Sequence, residues 1–280
     1  WFGNPSKKLK VIGVTGTDGK TTTAFLIYHI LKSAKINTGL VSTVSARIGE
    51  KEFETGLHVT NPDAITLQKL LAAMVKAKCE FAVVEVTSHG LDQERVSGVH
   101  FDVGVLTNIT HEHLDYHKSY SAYLKTKAKL FKKVSTAILN ADDTSFHKIR
   151  HLTKTNSNIF AYAIGEKNVD VSAKNIKDSF FGQEFDVMFR GREFNLKTRL
   201  LGNYNISNIL AAITVALNYG LNERVIQKAL QTFKAPQGRL EKIEESKKLE
   251  VYIDFAHTPN SLKNVLALLR KKAMTKGGNL

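Results

Sequence analysis

Along the first half of the chain, apolar runs rich in β-branched residues alternate with stretches of helical spacing. The runs at 10–15, 38–43, 80–86, 102–108 and 136–140 are predicted strands, and 21–34, 66–77, 119–133 and 145–152 are predicted helices. Most of the strand runs are continuously apolar rather than alternating, which is the pattern of strands buried on both faces of a parallel sheet. Strand, helix, strand in repetition predicts a doubly wound α/β fold with a mostly parallel sheet.

From about 158 to 199 the pattern shortens. Stretches such as GQEFDVMFRGREFNLKTRL alternate polar and apolar positions between glycine-containing turns, which predicts a small antiparallel edge of hairpins. Helices at 205–218 and 222–232 follow, and then KAPQGRLE breaks the pattern, with Pro236 and Gly238 marking a boundary. Beyond it stand one predicted strand, 249–255, and one predicted helix, 259–272. Two elements cannot enclose a core, so the expected organisation is a domain over 1–237 and the start of a truncated second α/β domain over 238–280.

Composition narrows the classes. A chain of 280 residues can bury a large core. No stretch approaches the eighteen or so apolar residues that a membrane span needs, and the first residues lack a secretory pattern. The single cysteine, Cys79, has no internal partner, which fits a reducing compartment, so a cytoplasmic protein is expected. Forty Lys and Arg against 26 Asp and Glu give a formal charge of +14, which favours anionic partners. The lysines are scattered, with only short clusters such as KTKAKLFKK at 125–133, and no aromatic stripe runs among them. Neither nucleic acid nor a membrane is therefore expected as a partner.

Three constellations carry candidate chemistry. The stretch TGTDGKTTT, residues 15–23, lies between a predicted strand and a predicted helix. A full Walker A loop needs a glycine where Val14 stands, so what remains is the shorter Gly16-x-x-Gly19-Lys20-Thr21. Backbone amides at such a turn point toward phosphate oxygens, the helix dipole adds attraction, Lys20 can neutralise phosphate, and Thr21 or Thr22 can offer a hydroxyl to Mg²⁺. The bland alternative is a strand-to-helix turn that uses glycines for positive φ.

The second constellation is EVTSHGLDQERV, residues 85–96, in which Glu85 ends a strand where ligands sit in open α/β sheets. A carboxylate there is a candidate Mg²⁺ ligand, and the alternative is an ordinary strand-end acid. The third is TNITHEHLDYH, residues 107–117, with His111, Glu112, His113, Asp115 and His117 packed into one short segment. It suggests metal or acid–base chemistry, and its His-x-His also fits a metal-dependent hydrolase in which histidines hold a transition metal.

These motifs, together with YLKTKAKLF, LNADD, LGNYNISNILAAI, GRLE and IDFAHTPNSL, stand in the order and spacing of the Mur ligases. The chain resembles that family over nearly its whole length, and within it most resembles the UDP-N-acetylmuramoyl-tripeptide synthetase branch. The resemblance implies an ATP-dependent amide ligase that adds the third residue to UDP-N-acetylmuramoyl-dipeptide in peptidoglycan precursor synthesis, through an acyl phosphate. It implies ATP and Mg²⁺ as cofactors, a UDP-N-acetylmuramoyl-dipeptide and an amino acid as partners, and a monomer.

Residue by residue, the resemblance assigns Gly16, Thr17, Asp18, Gly19, Lys20, Thr21 and Thr22 to the ATP phosphates. Thr21, Glu85 and His113 become metal ligands, and Lys20, His113 and Lys127 serve the reaction, with Lys127 expected to be carbamoylated. Asn108 and Asn208 match adenine-side positions, and Arg239, Asp254 and His257 match nucleotide contacts near a domain hinge. Thr60, Asn61, Thr87, Gln93 and Arg95 match positions that bind the muramoyl peptide. Two residues depart from the family pattern: Asp18 stands where asparagine is commoner, and Asn61 where a second threonine is usual. The family's N-terminal domain is expected only as its exit, WFGNPSKK at residues 1–8, so the chain alone is expected to ligate weakly or not at all. A folylpolyglutamate-type ligase is the alternative within the same chemistry.

Overall fold

The structure, a computed structural model, describes residues 2–53, 60–165, 168–179, 181–243, 250–275 and 278–280. Its strands are β1 (Lys10–Thr15), β2 (Thr38–Val41), β3 (Ala46–Ile48), β4 (Lys51–Phe53), β5 (Phe81–Glu85), β6 (Val103–Leu106), β7 (Thr136–Asn140), β8 (Asn158–Ile164), β9 (Val171–Ser179), β10 (Gly182–Phe189), β11 (Arg192–Thr198), β12 (Glu241–Ile243) and β13 (Val251–Ile253). The helices are α1 (Lys20–Ser33), α2 (Ala64–Lys76), α3 (Ser88–Asp92), α4 (Leu114–His117), α5 (Tyr120–Ala128), α6 (Phe146–Leu152), α7 (Asn203–Asn218), α8 (Glu223–Thr232) and α9 (Pro259–Thr275).

Eleven strands form one sheet in the order β11-β10-β9-β8-β7-β6-β1-β5-β2-β3-β4, and β12 pairs with β13 separately. From β9 to β2 every neighbouring pair is parallel, and both ends of the sheet are antiparallel. The doubly wound expectation holds. The continuous apolar runs have a direct cause, because the parallel strands pack on both faces. Ile12, Val14, Val83 and Val105 join α1, α7 and α8 in one core, whereas Val11, Val84, Leu106 and Leu139 join α2 and α5 in the other.

The expected antiparallel edge is only partly antiparallel. β10 and β11 form a hairpin, but β8 runs parallel to β7, and β9 parallel to β8. A parallel pair normally needs a long crossover. Here only Tyr162–Ile164 face Val171–Ala173, so the chain backtracks by a few residues and the short 165–170 connection suffices. At the other edge, the β3–β4 hairpin turns at Gly49 (φ 62°), a segment for which the sequence pattern predicts no strand.

β1 lies between β5 and β6, so the chain winds off to opposite sides from this point. The crevice at the carboxyl ends of strands flanking such a switch point is where ligands bind in this architecture. The ends of β1, β5 and β6 carry the three constellations, 15–23, 85–96 and 107–117. The carboxyl-terminal elements pack differently: α9 buries none of its residues, and Val251, Ile253, Phe255, Leu262 and Leu266 are exposed.

Candidate functional site

A cleft of about 600 Å³ opens at the switch point, lined by the phosphate-loop segment, the ends of β5 and β6, the start of α7, residues 239–240 and the 254–265 stretch. That volume is typical of small-ligand sites. The loop between β1 and α1 forms its floor. Gly19 has φ 83°, and a side chain there would meet Asn208 Oδ1 at 2.2 Å. A Cβ on Gly16 would meet Thr107 Oγ1 at 1.8 Å. Both glycines are thus required by close approach, as a cradle demands.

The loop is fastened from neighbouring elements. Thr17 N–H donates to Asn108 O at 2.8 Å and Asp18 N–H to Asn108 Oδ1 at 2.9 Å. Thr107 Oγ1 and Asn108 Nδ2 donate to Asp18 O at 2.6 and 3.1 Å. Lys20 curls back to donate to Thr17 O at 2.6 Å. Asn208, on α7, accepts from Thr23 Oγ1 at 3.3 Å. Of the two asparagines matched by resemblance to the adenine side, Asn108 therefore also holds the loop itself, and Asn208 holds the first turn of α1.

Lys127 is the most unusual group in the site. It lies on α5, is 1% exposed, and donates to Gly16 O at 2.7 Å. Burial, and after it the charge of Lys20, pushes its amine well below the ordinary lysine pKa, against the pull of Glu112 and Asp18. The Tyr123 ring lies 4.6 Å from its Nζ. The Tyr123 hydroxyl meets Thr17 Oγ1 at 3.1 Å, and burial raises its pKa. Sequence reasoning passed over Tyr123, although four residues before Lys127 on a helix is the same face.

The His-x-His pair splits. His111 stacks on Tyr120 (5.0 Å, 29°), whereas His113, with φ 54°, faces His89 and Tyr123. Burial lowers the His113 pKa most, with His89, Lys127 and Lys20 adding to the effect and Glu112 opposing it. Among the described residues no three His, Cys, Asp or Glu side chains are grouped to hold a metal ion, so the arrangement a histidine-ligated hydrolase requires is not formed there.

Glu85 fits a divalent ion of a different kind. It is fully buried, and its Oε2 accepts from Thr43 N–H at 2.5 Å and Thr43 Oγ1 at 2.8 Å. Its Oε1 is buried and has no hydrogen-bond partner. An unsatisfied buried carboxylate oxygen is costly, and a cation satisfies it. Mg²⁺ takes one or two carboxylates and completes its shell with water and phosphate oxygens, so it needs no all-protein cage. Thr21, also assigned to metal by resemblance, accepts from Arg239 Nη2 at 3.0 Å, and His113 Nε2 lies 3.7 Å from Glu112 Oε2.

The residues matched to the muramoyl peptide gather beside Glu85. Thr60, Thr87, Gln93 and Arg95 line the cleft. Asn61 does not; it is fully buried, donates to Glu85 O at 2.6 Å, and accepts from Thr87 N–H and Thr87 Oγ1 at 2.8 Å each. Its side chain is a staple between the 60–61 segment and the end of β5, and Arg95 Nη1 donates to its carbonyl at 3.0 Å.

The remaining wall comes from the carboxyl-terminal elements. Arg239 lies over the Phe255 ring at 4.8 Å; burial lowers its pKa while Glu85, Asp254 and Asp18 raise it. Asp254 accepts from Leu240 N–H at 2.6 Å and Ala256 N–H at 2.7 Å, which shapes the turn on either side of β12–β13. His257 Nε2 lies 2.9 Å from Glu112 Oε1.

A phosphate cradle, a buried amine with a lowered pKa and a second wall of basic character thus share one cleft, with an orphaned buried carboxylate, Glu85, behind Thr43 of its lining. The Mur ligase middle domain matches residues 14–216.

The chain belongs to this family.

Among its relatives, the UDP-N-acetylmuramoyl-L-alanyl-D-glutamate--2,6-diaminopimelate ligase of Clostridium botulinum is 39% identical over 279 residues, covering 99% of this chain and 56% of that protein. The ligase of the same name from Aquifex aeolicus is 41% identical over 273 residues, covering 97% and 55%. A solved structure of a 2,6-diaminopimelate ligase of this type superposes with a TM-score of 0.81 at 29% identity, covering 93% of this chain and 53% of that one. The chain therefore spans little more than half the length of these Mur ligase relatives. Among the described residues, no helix is long and apolar enough to cross a membrane.

Proposed function

We propose that this chain carries the ATP-binding unit of an ATP-dependent amide ligase that adds the third amino acid to UDP-N-acetylmuramoyl-dipeptide. The observation that carries the reading is Lys127, a buried amine with a lowered pKa, hydrogen-bonded to Gly16 of the phosphate loop and sharing the cleft with Lys20. The relatives' names support diaminopimelate as the amino acid. On this reading residues 1–237 are the ATP-binding domain and 238–280 the start of a second ligase domain; the absence of buried residues in α9 supports that division. We read the protein as a cytoplasmic monomer.

A carboxylate acylates poorly because its oxygen is a bad leaving group. Transfer of the γ-phosphoryl group breaks the bond to ADP and forms a carboxylate O–P bond. Attack by the amine then forms the C–N bond of the amide, with loss of a proton and expulsion of phosphate. Negative charge gathers around the transferring group in both steps, so the chain's part is positioning and electrostatic stabilisation. Lys20 and the amides at the start of α1 bind the phosphates. Arg239 closes the site from the second wall, and Thr60, Thr87, Gln93 and Arg95 orient the peptide. Magnesium, held by Glu85 and phosphate oxygens, would supply Lewis-acid neutralisation. We infer further that Lys127 is carbamoylated, because only an uncharged amine adds CO₂ and burial shifts this one toward that form.

Titration calorimetry with Mg·ATP tests the reading. Lys20→Ala should weaken binding at least about tenfold in a protein that still unfolds cooperatively, since a phosphate contact of this kind contributes roughly 1.5–3 kcal/mol. Equal affinity in the two proteins would remove the phosphate-loop assignment.

A further inference from the structure

Asp18, the departure within the phosphate loop, joins two parts of the fold that lie far apart in sequence. Its backbone is rigidly held by Thr107 and Asn108, so its side chain leaves from a fixed base. The carboxylate accepts from Thr258 Oγ1 at 3.2 Å (Oδ1) and 3.3 Å (Oδ2), and from Asn260 Nδ2 at 3.2 Å (Oδ2). Lys20 does not share these contacts, because its amine is turned to Thr17 O. The hydrogen-bond partners of Asp18's carboxylate are thus neutral donors.

The start of α9 explains why an acceptor is needed. Ser261 N–H donates to Thr258 Oγ1 at 3.0 Å, and Thr258 N–H donates to Ser261 Oγ at 3.0 Å. This is a reciprocal capping box with Pro259 at the first helical position. The hydroxyl hydrogen of Thr258 has two acceptors within reach, Ser261 Oγ at 2.8 Å and the Asp18 carboxylate at 3.2 and 3.3 Å, and the charged carboxylate is the stronger acceptor. Thr258 is 3% exposed, while α9 itself buries nothing. The helix is therefore held to the phosphate loop through its capped end. Arg239 to Thr21 (3.0 Å) and His257 to Glu112 (2.9 Å) are the neighbouring ties.

We propose that Asp18 is a positioning residue that docks the 257–261 turn onto the phosphate loop, and that its negative charge does so at the expense of nucleotide affinity. The second half rests on the nucleotide reading above. A carboxylate has two oxygens for two donors; asparagine has one oxygen, and its NH₂ would face a donor. Asparagine at this position therefore keeps one of the two docking bonds and removes the charge, and alanine removes both. Because Asp18 adjoins Gly19 and Lys20, bound phosphates and the carboxylate compete for the same positive surroundings, the amino ends of α1 and α9. Coupling is reciprocal, so nucleotide must loosen the docked turn by the factor that docking weakens nucleotide.

Hydrogen exchange at residues 258–265 and calorimetry with Mg²⁺ and a non-hydrolysable ATP analogue test both halves on the full 280-residue chain. Without nucleotide, Asp18→Ala should exchange about tenfold faster at these amides than wild type, with Asp18→Asn in between. Asp18→Asn should bind the analogue about tenfold more tightly than wild type, the effect of removing one like charge beside the phosphates. The analogue should speed exchange at 258–265 in wild type and do so less in Asp18→Asn. Unchanged exchange in Asp18→Ala would overturn the docking role. Equal affinity in Asp18→Asn would overturn the charge cost. If no protein in the series bound nucleotide, the nucleotide reading would fail while the unliganded exchange still decided the docking.

Discussion

Replacing Lys127 by methionine should flatten the dependence of stability on pH. Lys127 is 1% exposed, and burial followed by the charge of Lys20 drives its folded pKa well below the reference value of 10.5. Once unfolded, the amine returns to that ordinary value. At any pH between the two, unfolding takes up one proton at this residue, so the unfolded state binds more protons than the folded one and stability rises with pH. The contribution is complete only above 10.5 and is lost as pH falls toward the folded pKa. One proton corresponds to about 1.4 kcal/mol per pH unit in the span just below 10.5. Methionine keeps a long unbranched side chain and has nothing to titrate. It also loses the hydrogen bond to Gly16 O, but that shifts all points equally, so the difference in slope is the readout. Urea unfolding at about pH 8.5 and 9.5 in CO₂-free buffer should show wild type gaining more than Lys127→Met over that unit, up to a ceiling of about 1.3 kcal/mol. Parallel lines for the two proteins would refute the claim that burial holds the Lys127 pKa well below its ordinary value. Adding bicarbonate should then stabilise wild type alone if the amine is carbamoylated.

Two further substitutions separate the other roles. Glu85→Gln removes a buried carboxylate whose Oε1 is unsatisfied, so without divalent ion the variant should melt no lower than wild type, while Mg²⁺ with nucleotide should no longer raise its melting temperature. Scanning fluorimetry with and without Mg²⁺ checks this, and a full Mg²⁺-dependent gain in the variant would exclude Glu85 as the metal carboxylate. Asn61→Ala breaks three hydrogen bonds, one buried and two partly buried, and should cost about 3 kcal/mol in urea unfolding. A loss below about 1 kcal/mol would mean that Asn61 is not the staple its contacts imply.

What the sequence made legible follows from the range over which each feature is determined. β1 and β7 coincide with their predicted runs because their interior positions are continuously apolar or glycine and buried, with polar residues only at the ends. The parallel course of β8 and β9 was not legible, because direction depends on which strand is the neighbour and not on alternation within the strand. The β3–β4 hairpin was hidden for a related reason: β4 is exposed along its length and carries no apolar period. In the site, Glu85 and Lys20 could be picked out by their place at strand end and helix start. Thr43, Tyr123 and Thr258 were not, because each acts by touching another site residue from a distant part of the chain. Asn61 was legible as a position but not as a role, since only its three contacts reveal that the side chain is used up inside the protein.

The shorter phosphate loop makes physical sense once those distant contacts are counted. A loop lacking the glycine of the longer pattern wraps less of its own backbone around a phosphate, so its shape must be set from outside. Three consecutive carbonyls, at Gly16, Thr17 and Asp18, are bound by Lys127, Lys20, and Thr107 with Asn108. Binding the carbonyl of Asp18 turns the amide of Gly19 the opposite way across a planar peptide, and Gly19 lines the cleft. The amides that open α1 have no helix carbonyl to reach and face the same space. β6 supplies the clamp from one side and α5 and α7 from the other, which is possible only because β1 and β6 are neighbours at the switch point. The loop is therefore preorganised by the fold before any phosphate arrives. Lys127 is part of that preorganisation as well as of the proposed chemistry, so its substitution should disturb the cradle and the reaction together, whereas Glu85, which binds none of the three carbonyls, can be removed with the cradle intact.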